Sequence, residues 1–166
     1  MRGEQIGYPV TRSKMWLLTI ATMGLWTYYW ILVNFQAFRR KEITGIHFCP
    51  EAYLSLICLS YYNLLEFIEM AGRKYEVIIK LPKKRAAILM LLVGMPAFFL
   101  ALFKQETLYQ AIFLLTLPLF LESARKGIFS LNDAIQADFK ITFGPFEKVI
   151  FVVGVIYWAV VIFANY

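Results

Sequence analysis

Three side chains capable of covalent or acid–base chemistry fall within five positions of this sequence: His47, Cys49 and Glu51. An imidazole beside a thiol can activate it as a nucleophile, and a carboxylate can orient the imidazole in turn. Pro50 interrupts the run, however, and a cysteine two positions from a histidine does not meet it by spacing alone. A catalytic site needs such groups held near one another, so no catalytic residue is expected and the chain is read as not an enzyme. His47 is the only histidine, which excludes a multi-histidine metal centre within the chain, and it is read as hydrogen-bonded to its surroundings. Cys49 and Cys58 form neither a CxxC nor a zinc spacing and are read as apolar packing residues. No metal and no cofactor is expected.

An acid inside an apolar stretch is a functional candidate by default, and Glu122 is such a case. Arg125 and Lys126 follow it at the three- and four-residue spacing of helical ion pairs, so Glu122 is read as part of a charged helix end. Pro96 and Pro118 each remove one backbone hydrogen bond from an apolar run. Paired prolines can mark the broken helices of a transport site, but without a deep ionisable group beside them they are read as bends. A small oligomeric channel or transporter lined by Pro96, Gln110, Pro118 and Glu122 stands as an alternative.

The elements that carry these residues follow from composition. Of 166 residues, 60% are hydrophobic and 17% charged, more apolar surface than a soluble domain of this length can hide. Residues 15–38, 86–103 and 146–166 approach or exceed the roughly 18–20 apolar residues that cross a bilayer, and 107–124 is a shorter fourth run. The expected fold is all-α: one integral, multi-pass membrane domain over residues 1–166, a helical bundle of about four transmembrane helices plus one interfacial amphipathic helix. Residues 1–14 are a polar lead, not a cleavable secretory signal, because the apolar run after them is too long and no small-x-small site follows it. Residues 125–145 are read as an amphipathic extension, helical to about Ala137, and a loop in which Gly144 and Pro145 announce the last helix.

Glu51, Ser55, Cys58, Tyr62, Glu66, Glu69 and Arg73 recur at steps of three and four, a narrow polar stripe on an apolar cylinder. Its apolar length is short for a span, so a helix over 51–72 is expected to lie flat at the membrane surface. The loop 73–85 then gathers Arg73, Lys74, Lys80, Lys83, Lys84 and Arg85 against Glu76 alone. This cluster is expected on the cytoplasmic side in contact with anionic lipid, where each charge contributes about 1 kcal/mol. Because the net charge of +6 collects in loops, the expected partner is the lipid bilayer and not nucleic acid.

Charge counting leaves the first run ambiguous. A straight span over 15–38 puts 13 Lys and Arg inside and 4 outside, and letting the 51–72 helix span as well gives 13 to 4 again. Folding the first run at Gly24 into a re-entrant hairpin gives 16 to 1. One glycine is a modest breaker, so the straight span is the expectation. In it Gly24, Trp26, Tyr29 and Trp30 lie nearer mid-depth than the aromatic belt, and they are read as a surface for packing against other membrane subunits.

The run Gly24-Leu25-Trp26-Thr27-Tyr28-Tyr29-Trp30, with Tyr8-Pro9-Val10 and Ser13-Lys14 before it and Asn34 and Arg39-Arg40 after it, resembles a family of small bacterial polytopic membrane proteins. That family carries a glycine-leucine-aromatic and then tyrosine-tryptophan signature in its first hydrophobic segment. Lys126-Gly127-Ile128 and Leu131-Asn132 are similar to its motif before the final span, whereas Val33, Gln36 and Ser123 depart from its usual basic and proline positions. The resemblance implies a helical fold in the bacterial cytoplasmic membrane and no established activity. The expected role is a non-catalytic accessory or scaffold subunit of a larger membrane complex, for example respiratory, photosynthetic or transport. Membrane shaping by a re-entrant hairpin is the alternative from another class.

Overall fold

The computed structural model describes residues 4–43, 57–89, 92, 96, 107–137 and 143–164. Among them the chain forms helices and no strands: α1 (Arg12–Ala21), α2 (Leu25–Arg40), α3 (Ile57–Lys74), α4 (Lys83–Leu89), α5 (Thr107–Ala134) and α6 (Pro145–Ala164). The Thr11 hydroxyl caps α1 by accepting the Lys14 N–H at 3.2 Å, and Pro145 opens α6 where a missing N–H is harmless.

Helix ends share one device. Met23, Glu42, Glu76 and Gln136 take left-handed φ values of 50–58° just past α1, α2, α3 and α5. After α1, Met23 N–H donates to Ile20 O and Gly24 N–H to Thr19 O, the paired bonds that close a helix C-terminus; the other three ends repeat the pattern. The break at Met23 and Gly24 (φ 88°) corrects the expectation of one straight helix over 15–38. Thr22 holds both sides of it, donating its hydroxyl to Leu18 O at 2.8 Å and accepting the Trp26 N–H at 2.9 Å. A glycine of modest breaking power suffices because it is flanked by a satisfied stop and a satisfied start.

Pairs of contacts give the helix directions. Phe35 meets Phe67 edge-on, and Lys74 Nζ donates to Lys41 O at 2.7 Å, so α2 and α3 run parallel. The Tyr61 hydroxyl donates to Phe120 O, and Gly127 faces Ile68, so α3 and α5 run parallel too. Lys14 pairs with Glu147 while Gly154 abuts Ala21, so α1 runs along α6. Tyr8, just ahead of α1, bonds to Asn34 late in α2, and Glu4 pairs with Lys41. The chain therefore enters α1 beside the far half of α2, and α1 and α2 form a helical hairpin with both flanks at one end.

The core is the space between α1, α2, α3 and α5, filled by Met15, Leu18, Trp26, Trp30, Phe35, Leu64, Leu65, Ile68, Leu121 and Ile128. This corrects the flat-helix reading of 51–72. From Ile57 on, that segment is α3, and its apolar face, Tyr61, Leu64, Leu65, Ile68 and Ala71, is fully buried in protein. Tyr62, Glu66, Glu69 and Arg73 of the polar stripe look outward, while Glu51 and Ser55 lie outside the described residues.

Among the described residues no helix is long and apolar enough to cross a membrane. The hairpin splits the first run into helices of 10 and 16 residues, and α5 carries Pro118 within it and Glu122 past its middle. The uncharged part of α6 beyond Lys148 extends about 24 Å, against roughly 30 Å of hydrocarbon. Most of the run expected over 86–103 lies outside the described residues.

Candidate functional site

The most developed polar site is one that sequence reading missed. Residues 4–10 cross a groove between α2 and α5, and the main chain of Ile6 and Tyr8 is satisfied by side chains instead of a helix or a sheet. Asn132 accepts the Ile6 N–H at 2.8 Å and donates to the Ile6 carbonyl at 2.6 Å. Asn34 accepts the Tyr8 N–H at 2.7 Å, and Trp30 Nε1 donates to Tyr8 O at 2.9 Å. Each asparagine also donates back to the carbonyl four residues earlier, Trp30 O and Ile128 O, both at 2.8 Å. That bond sets the orientation of each amide, leaving its oxygen to accept the incoming N–H. All three clamping side chains are fully buried, where an unpaired amide is costly.

A second cluster lies beside the first. Lys14 and Glu147, 5% and 1% exposed, form an ion pair at 2.6 Å. Glu147 also accepts from Trp26 Nε1 at 3.3 Å and from the Gly144 N–H at 2.9 Å. Lys14 donates to the Tyr8 hydroxyl at 3.3 Å and sits over the rings of Tyr8 and Phe143. Burial pushes the Tyr8 hydroxyl well above its ordinary range, and the charge and hydrogen bond of Glu147 push it the same way, so it stays protonated. A buried pair of this kind persists only when its remaining donors and acceptors are satisfied, as they are here. The cluster joins the starts of α1 and α6, but nothing in it resembles a nucleophile with a base.

The residues singled out from sequence fare unequally. Trp26 and Trp30 are fully buried and stacked on each other, so they are core of this chain and not a surface for another subunit. Gly24 is buried in the hairpin turn, and Tyr29 is half-buried against Phe146 of α6. The aromatic run looked like an interface because its period does not say which protein covers it.

Of the basic cluster, Arg73, Lys80, Lys84 and Arg85 are exposed. Lys74 donates to Lys41 O at 2.7 Å, and Lys83 pairs with Glu69 at 2.8 Å. Partial burial raises the Glu69 carboxyl, but hydrogen bonds from Lys83 and the Leu81 N–H, with the charges of Lys83 and Arg73, outweigh it and hold Glu69 below its ordinary value. The same bond raises Lys83 against the opposing pull of burial. Glu122 makes a two-point contact with Arg125, both bonds 2.8 Å, and a longer one to Lys126, so it is a paired surface charge. His47, Cys49 and Glu51 lie outside the described residues.

Against these polar clusters stands a broad apolar surface. Leu25 at the hairpin tip is 70% exposed, and Leu17, Ile20, Ile112, Leu115, Leu119, Val152, Val153, Ile156, Val160 and Phe163 are exposed with it. Met23, Leu25, Val153 and Tyr157 line an apolar groove of about 500 Å³ between the tip and α6. No protein-family model, curated protein or solved structure matches this chain.

Proposed function

We propose that this chain is a non-catalytic membrane-embedded protein that enters the bilayer from one face and wedges it with the α1–α2 hairpin. The observation that carries this reading is the meeting of both flanks: Glu4 with Lys41, and Tyr8 with Asn34, bring the start and finish of the first apolar run to one end. Arg39 and Arg40 are exposed at that end, with Arg73 at the end of the parallel α3. Exposed Leu17, Ile20 and Leu25 lie toward the other. At about 1.5 Å per residue, α1 is about 15 Å long, half of the roughly 30 Å hydrocarbon thickness. A hairpin with an apolar tip at that depth and a basic base at the headgroups displaces lipid on one side, while α6, which continues past the end of α1, reaches deeper. The basic end faces the cytoplasm in this reading, its exposed Arg73, Lys80, Lys84 and Arg85 on anionic headgroups.

The test is remodelling of vesicles. The purified chain, reconstituted into liposomes containing anionic lipid, is expected to shrink or tubulate them in proportion to protein added, and Leu25→Glu to abolish the effect. Unchanged vesicle size at high protein-to-lipid ratio contradicts the wedge. The accessory-subunit reading keeps one support, the long exposed face of α6 from Val149 to Val160, which suits a neighbouring helix as well as lipid. Co-purification of a stable assembly in mild detergent would favour it; a monodisperse lone chain would count against it.

A further inference from the structure

Residues 4–10 are held through their main chain as well as through the buried side chains of Ile6 and Val10. Four bonds from Asn34, Asn132 and Trp30 engage main-chain groups of Ile6 and Tyr8, the N–H and carbonyl of each. We propose that the groove between α2 and α5 is a peptide-binding site which residues 4–10 fill in cis. It accepts in trans a non-helical segment of the same chemistry: an apolar residue, then glycine, tyrosine, proline and a second apolar residue.

Side-chain requirements follow from the occupant. Ile6 and Val10 are fully buried, which calls for apolar side chains at both ends. Gly7 has φ +72°, and a Cβ there would lie 2.8 Å from Asn34 Oδ1, so the second position admits glycine alone. Tyr8 is half-buried, its hydroxyl bonded within the Lys14–Glu147 cluster and its ring beneath the Lys14 ammonium, so the third position calls for tyrosine.

The strap can leave without dismantling α1. Thr11 is exposed, and its hydroxyl caps α1 through Lys14 N–H, a bond independent of residues 4–10. An emptied groove retains buried amides with no partner, which favours refilling by any segment that supplies them. Because Asn34 and Asn132 lie in the halves of α2 and α5 that end near Lys41, the groove is reached from the basic end. The inference goes beyond the membrane reading and does not depend on it.

The test uses the full chain with a protease site inserted between Val10 and Thr11, cut after purification, and a fluorescent peptide of residues 4–10. Saturable binding to the cut chain, competed by unlabelled peptide and absent from the uncut chain, is expected, because the tethered strap outcompetes free peptide. A peptide carrying Gly7→Ala, or one methylated on the Tyr8 nitrogen, is expected to bind at least tenfold more weakly. No exchange after cutting, or binding indifferent to methylation, overturns the proposal. Should the inserted site prevent folding, amide hydrogen exchange on the unaltered chain decides. The Ile6 and Tyr8 amides are expected to exchange at least a hundredfold faster than those of Leu64 and Leu65, through local opening. Equal rates would make the strap an inseparable part of the core and overturn the proposal.

Discussion

The two ends of the hairpin solve opposite problems. At the base, polar groups that are nearly or wholly buried each find a partner: Lys14 with Glu147, Asn34 with Tyr8, Asn132 with Ile6. At the tip and along α6, apolar groups lie exposed among the described residues, Leu25 at 70% and Phe163 at 81%. A protein interior explains the first region completely. The second is what the proposed membrane reading rests on, since monomers in water rarely leave large apolar patches bare.

Substitutions can separate the two. The largest expected effect is Lys14→Ala, which leaves Glu147 buried without its cation and should cost about 3–5 kcal/mol in denaturant unfolding in detergent. Replacing both, as Lys14→Met with Glu147→Leu, should recover most of it, and failure to recover would mean that the pair does more than satisfy itself. Asn132→Ala strands both main-chain groups of Ile6 and should cost about 2–4 kcal/mol by the same measurement. At the tip the sign of the comparison reverses. Leu25→Glu should leave unfolding in detergent within about 0.5 kcal/mol yet weaken vesicle partitioning by about 2.5 kcal/mol. Equal losses in both assays would erase the distinction between base and tip.

The smallest expected effect is at the Glu69–Lys83 latch. Glu69 sits below its ordinary value, so its contribution is present above the usual carboxylate range and fades as pH falls through the lowered value. Lys83 sits above its ordinary value, so its contribution fades only as pH rises through the raised one. Glu69→Gln should therefore cost no more than about 1 kcal/mol at neutral pH. It should also flatten the stability loss of the wild type below about pH 4.3, measured by thermal unfolding across an acid series.

Much of the fold was legible because it is local. The three-and-four spacing of Tyr62, Glu66, Glu69 and Arg73 marks the outward face of α3, and Pro145 marks the start of α6. The continuation of α5 beyond Glu122 is read from Ile128, Phe129, Leu131 and Ile135; Ile128 and Leu131 are buried, Phe129 and Ile135 partly so, and the helix ends at Ala134, short of Ala137. Helix ends were less legible, because the left-handed stops at Met23, Glu42, Glu76 and Gln136 use residues other than glycine, and composition does not flag them. The site was least legible. Ile6 and Asn132 are 126 positions apart, and an asparagine inside an apolar helix reads the same whether it faces lipid, a partner or a strap. The Lys14–Glu147 pair is illegible for the same reason: its two members lie near opposite ends of the chain.

The central claim, that both flanks of the first apolar run lie on one face of the membrane, is tested most directly by impermeant maleimide labelling of sealed vesicles. Single cysteines would replace Ser13 and Arg40, both exposed, in a chain whose Cys49 and Cys58 are changed to alanine. Labelling of both positions from the cytoplasmic face, and of neither from the opposite face, is predicted. Labelling of the two from opposite faces would show a straight crossing and contradict the account.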